Sequence, residues 1–102
     1  MKKKTKNYQK ELLEDLKNSE EAAEYLNAAL EDGSPEVFLL AIRNVVEARG
    51  GMKNLATQTE LNRENLYRML SDKGNPGLYS LQSILEVLGL RLAVETVLKK
   101  AS

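Results

Sequence analysis

Between Asn62 and Ser71 the chain sets Asn62, Arg63, Glu64, Asn65, Tyr67, Arg68 and Ser71 side by side, all of them able to give or accept hydrogen bonds. Arginine, asparagine and glutamate are the side chains that pair with the exposed edges of nucleotide bases, so the chemistry on offer is recognition rather than bond-breaking. Leu55, Ala56, Leu61, Leu66, Met69 and Leu70 are threaded among them at helical spacing. The segment 52–71, MKNLATQTELNRENLYRMLS, therefore reads as two short helices joined by a tight corner. Such a helix-turn-helix packs its second helix on the first and turns a polar face outward, toward a major groove. Sequence-specific duplex DNA is the ligand these residues imply.

The elements that must hold this motif follow from periodicity and caps. Tyr8, Leu12, Leu13 and Leu16 mark a short helix over 8–16. Ser19 is the expected cap of a second helix with Glu20 and Glu21 in its first turn, apolar positions Ala22, Ala23, Leu26, Ala29 and Leu30, and Gly33 as its stop. Ser34 and Pro35 restart the chain into a third helix bearing Val37, Phe38, Leu40, Ala41, Ile42, Val45 and Val46, the expected centre of the core, ending at Gly50-Gly51. After the motif, Ser71 to Gly77 is dense in turn formers, and Ser80 is expected to cap a helix from Leu81 to Leu88. In residues 90–97, Leu90, Leu92 and Val94 alternate with Arg91, Ala93 and Glu95. That period predicts a strand, with continuation of the helix as the alternative. A lone strand in a helical domain leaves its backbone groups unpaired, and pairing with the same strand of a second subunit is the simplest remedy.

Composition narrows the function. At 102 residues the chain is one domain, here divided into an N-terminal extension, 1–18, and a helix-turn-helix domain, 19–102. It has no cysteine and no histidine, which removes disulfides, thiolate zinc sites, cysteine nucleophiles and the serine–histidine–acid triad. No catalytic residues, metal or cofactor are expected, and the chain is not read as an enzyme. The longest apolar run, Val37 to Ile42, is too short to span a bilayer. The basic N-terminus leads into acidic amphipathic sequence rather than a signal-peptide core, so a cytoplasmic location is expected.

The formal net charge of zero conceals segregation. Residues 1–10 carry five lysines and no acid, whereas residues 11–36 carry nine acids and one lysine, a net −8. That acidic block is either a solvated helix face or a docking surface for a basic partner.

From Tyr25 to about Glu95 the chain resembles antitoxins of HigA type, within the wider Xre and lambda-repressor-like group. The residues that carry the resemblance are Leu55-Ala56, the run from Leu61 to Ser71, Gly74-Asn75-Pro76 and Leu88-Gly89-Leu90-Arg91-Leu92. It implies an all-α domain of five or six helices with a short C-terminal strand pairing across a dimer, Leu90, Leu92 and Val94 being the dimerisation residues. Where such motifs usually place glycine at the corner, this chain has Glu60; a left-handed backbone there costs on the order of 1 kcal/mol.

The resemblance further implies that Arg63, Glu64 and Arg68 read bases while Asn62 caps the recognition helix and offers itself to a phosphate. Tyr67 either meets a thymine methyl or the DNA backbone, or covers the motif's edge as a half-buried ring. Lys53, Lys73 and Asn75 are candidates for phosphate contact, with simple solvation as the alternative for the two lysines. Such antitoxins neutralise small basic ribonuclease toxins of the RelE/HigB kind and repress their own operon. Glu14, Asp15, Glu20, Glu21 and Glu24 are the candidate toxin-binding residues. The expected partners are thus an operator duplex, a toxin and a second copy, with no membrane and no small-molecule substrate. Two rivals stay open: a stand-alone or phage-type Xre repressor, and a protein-interaction module without DNA binding.

Overall fold

The computed structural model describes residues 4–98, with side chains from residue 8 onward. Among these residues the chain is all helical: α1 Lys4–Asp15, α2 Ser19–Asp32, α3 Pro35–Ala48, α4 Gly51–Thr59, α5 Arg63–Met69 and α6 Leu78–Val87. The helix ends obey local chemistry and correct several expected boundaries. The turn that ends α1 leaves Asn18 in the extended backbone a cap requires, and its Oδ1 accepts the Glu21 amide at 2.9 Å. Ser19 is consequently the first helical residue rather than the cap. Ser34 precedes Pro35 at the start of α3 as expected, but its hydroxyl donates to Glu36 Oε1 at 2.8 Å instead of capping. α6 starts at Leu78, earlier than expected, because extended Gly77 initiates it without a side-chain cap; Ser80 lies in the first turn.

α3 is the central helix, packed against α1, α2 and α4, and α4 in turn carries α5 and α6. Its Leu39, Ala41, Ile42, Val45 and Val46 are buried together with Leu16 of the α1–α2 turn, Leu26 of α2, Leu66 of α5 and Ile84 of α6. Each fully buried leucine or isoleucine contributes about 1.5–3 kcal/mol relative to exposure. The apolar stripe of α3 is nevertheless narrower than its composition suggests: Val37 and Leu40 are 39% and 47% exposed. No polar or charged residue among those described is buried, so directional bonds at the core's edge define how the helices dock.

Arg49, at the C-terminal end of α3, makes the most far-reaching of these bonds. Its Nε donates to the Leu16 carbonyl at 3.0 Å, Nη1 to the Leu88 carbonyl at 3.2 Å and Nη2 to Ser19 Oγ at 3.4 Å. Both carbonyls lie at helix C-terminal ends, where oxygens lack intrahelical partners and the dipole favours a cation. Elsewhere on α3, Asn44 Nδ2 donates to Tyr25 Oη of α2 at 2.8 Å, and Arg43 Nη1 donates to the Leu70 carbonyl behind α5.

The expected strand over 90–97 is not formed: residues 90–98 belong to no helix or strand. The chain offers no second strand among its described residues to complete a ladder, and the predicted inward set does not share one environment. Leu90 is half-buried with its N–H bonded to the Leu85 carbonyl at 2.8 Å, whereas Leu92 is 39% and Val94 98% exposed.

Replacing Arg49 by methionine keeps the length of the side chain and removes its donors. Chemical denaturation is expected to show a loss of about 2–3 kcal/mol, since bonds to a charged donor are among the stronger ones and two carbonyls lose a partner. A loss below 0.5 kcal/mol (roughly what an ordinary surface substitution costs) would show that packing alone holds these helix ends.

Candidate nucleic-acid interface

The corner between α4 and α5 is built from three successive local bonds. Thr59 Oγ1 donates to the Leu55 carbonyl at 2.8 Å and accepts the Leu61 amide at 3.1 Å, which latches the last turn of α4 to the chain leaving it. Glu60 then adopts φ 64°, the one left-handed non-glycine residue among those described, and its N–H bonds to the Ala56 carbonyl at 3.0 Å. Asn62 caps α5, its Oδ1 accepting the Asn65 amide at 3.1 Å. The corner therefore has the backbone expected of it, with glutamate accepting the strain that glycine would avoid.

Burial explains why α5 presents its other side outward. Leu66 and, just after the helix, Leu70 are fully buried, with Leu61 and Met69 packed partly against the core. The Arg43 bond to the Leu70 carbonyl fixes the far end of the helix. Arg63, Glu64, Tyr67 and Arg68 recur one, four and five positions along, so they share a face, and all four are exposed. The Arg63 guanidinium lies over the Tyr67 ring, 5.9 Å from its centre, and Arg68 Nη2 donates to Asn65 Oδ1. Each guanidinium is thus held by a neighbour on its own helix and keeps its remaining donors in solvent. The Tyr67 ring, 51% exposed, serves as a platform for Arg63.

Behind α5, Arg68, Lys73 and Asn75 come together with Asn65, Ser71 and Gly74 around a polar cleft of about 420 Å³. Gly74 is essential to its shape, since a β-carbon there would stand 2.1 Å from the Met69 carbonyl oxygen. Lys53, exposed on α4, does not line this cleft. Glu14, Asp15, Glu20, Glu21 and Glu24 are exposed on α1 and α2, and Glu14 Oε1 pairs with Lys17 Nζ at 3.2 Å. Three residues absent from the sequence-derived site, Thr59, Asn65 and Arg43, turn out to position it. The spacing of Asn65 three residues before Arg68 was a readable signal; the Arg43 contact, 27 residues away in sequence, was not. Among the described residues no group of three or more His, Cys, Asp or Glu could hold a metal, and no helix is long and apolar enough to cross a membrane.

The structure thus sets two solvent-facing guanidiniums on a helix whose other side is buried, and comparison with known proteins assigns the chain a family. The chain belongs to the family described as "probable addiction module antidote protein", whose model matches residues 5–96. It is also 32% identical over 85 residues to an uncharacterized protein of Haemophilus influenzae (strain ATCC 51907 / DSM 11121 / KW20 / Rd), covering 83% of this chain and 87% of that one. No solved structure matches it.

Glu60→Gly relieves the left-handed strain at the corner while adding freedom to the unfolded chain, two opposing effects of about 1–2 and 0.5–1 kcal/mol. A net gain of about 0.5–1 kcal/mol in urea unfolding is expected. A loss would mean that the glutamate side chain stabilises the corner in the folded protein.

Proposed function

We propose that this chain is the DNA-binding antitoxin of a type II toxin–antitoxin module, of HigA type, with α4 and α5 as the helix-turn-helix of a lambda-repressor-like domain. It is a non-enzymatic cytoplasmic protein that represses its own operon and neutralises a small basic ribonuclease toxin of the RelE/HigB kind. The observation that carries the DNA reading is the face of α5, where Arg63, Glu64, Tyr67 and Arg68 stand in solvent above a fully buried Leu66. Arg63 and Arg68 would bridge guanine edges, Glu64 would accept from cytosine, and Asn62, Lys53, Lys73 and Asn75 would meet phosphates.

Four cations and three acids lie within residues 52–75, a weakly positive balance for one subunit. A homodimer doubles the contacts and supplies a second reading helix for the neighbouring half-site. The segment bearing Leu90, Leu92 and Val94 offers apolar surface for that pairing: Val94, Val97 and Leu98 are 98%, 81% and 91% exposed. The toxin reading rests on the antidote family and on the exposed acids of α1 and α2, which suit a basic partner.

A gel shift with the DNA upstream of the gene tests the first half. The Arg63→Ala, Arg68→Ala protein should keep its fold and lose the specific complex by roughly a hundred-fold or more, each bidentate base contact being worth about 1–3 kcal/mol. Unchanged binding would end the assignment of α5 as the reading helix. The second half is tested with the product of the adjoining reading frame. Neutralising Glu14, Asp15, Glu20, Glu21 and Glu24 should weaken that complex about ten-fold or more and leave operator affinity intact. Equal affinity would remove these acids from the toxin interface.

A further inference from the structure

A groove of about 530 Å³ runs between α2 and the segment that follows α6. The segment leaves beside the start of α2, where a β-carbon on Gly89 would lie 3.3 Å from Ser19 Oγ. Leu26, Leu30, Phe38, Leu85 and Leu92 give the groove an apolar lining, and Leu30 and Leu92 remain 55% and 39% exposed. No polar or charged residue is buried among those described, so the polar anchors that converge in small-molecule sites are missing from its floor. Its rim is charged. Asn27 and Glu31 line it directly, and Glu20 and Glu24 fall on the same stripe of α2 at spacings of four, three and four, with Glu95 on the segment opposite. Arg91 is the one base in the lining. Val94, not part of the lining and almost wholly exposed, is left free for a different contact.

The geometry points to this groove as the docking site for the toxin, receiving an amphipathic segment whose apolar side covers Leu30 and Leu92 and whose flanking lysines or arginines meet Glu20, Glu24 and Glu31. It rests on the reading of the chain as a toxin-binding antitoxin, and it narrows the acidic block to one stripe. Glu21 faces away from that stripe, and Glu14 and Asp15 lie on another helix, so these three contribute little. The apolar contacts govern the lifetime of the complex, and the carboxylates govern its rate of formation and dependence on salt.

The test is binding of the purified chain to the product of the adjoining reading frame, measured at low and physiological salt. Leu30→Lys should lower affinity roughly ten-fold or more, as loss of a central apolar contact does. Glu20→Gln, Glu24→Gln and Glu31→Gln together should slow association and flatten the salt dependence. Glu14→Gln, Asp15→Asn and Glu21→Gln together should change neither. Circular dichroism and operator binding should be as in the native chain for each variant, and because Leu30 is already exposed its change is compatible with folding. Undiminished affinity in the leucine variant, with native binding intact, overturns the groove and leaves the toxin reading standing. Absence of binding by the native chain overturns both. Loss of the dimer in the leucine variant would give the groove to a second copy and overturn the proposal as well.

Discussion

A single guanidinium, that of Arg49, adds directional bonds between helix ends that the apolar core already brings together. Through its side chain it binds the carbonyls at the ends of α1 and α6 and the hydroxyl at the start of α2, and its own carbonyl accepts Asn54 Nδ2 of α4 at 3.1 Å. Since no polar or charged residue among those described is buried, hydrophobic burial gives these helices cohesion without telling them where to stop. The arginine supplies that directional information at one point. α5, the helix outside its reach, is fixed by Arg43 six residues earlier on the same helix. Arg43 on α3 and Arg49 at its C-terminal cap thus tie the ends of neighbouring helices to the central one, Arg49 for the body and Arg43 for α5.

This division explains what was legible in the sequence. The α4–α5 segment was, because it is local: Asn62 as a cap, Glu60 as a left-handed corner and Leu66 as an inward anchor all act within a few residues. Periodicity located all six helices for the same reason. Errors arose where two residues compete for one job, as Asn18 and Ser19 do for the cap of α2, or where burial depends on distant neighbours. Leu30 and Leu40 have the spacing of core residues and remain 55% and 47% exposed. Alternation in residues 90–97 was a real pattern, but a strand is a property of a pair of segments, and the single chain supplies only one. The roles of Arg43 and Arg49 were beyond periodicity altogether, since their partners lie 27 to 39 residues away.

Charged side chains are distributed unevenly over the described residues. Acids dominate α2, which carries five and no base, whereas α1 sets three lysines against three acids and α5 with the loop after it carries three cations and two acids. The zero net charge is therefore a balance along the chain, mainly between the lysines of residues 1–10 and the acids of residues 11–36. The antidote family to which the chain belongs implies a toxin partner.

Because Leu16 and Leu88 share one guanidinium, the helical body is entered and left at nearly the same place. Topologically α2 to α6 form an almost closed ring, with Gly89 already against Ser19. The exposed Asp72 and Lys73, on the far side of that ring in chain order, are a natural place to cut it. A circularly permuted chain, rejoined near the arginine and reopened at that loop, would keep the interior unchanged while bringing new termini beside α5.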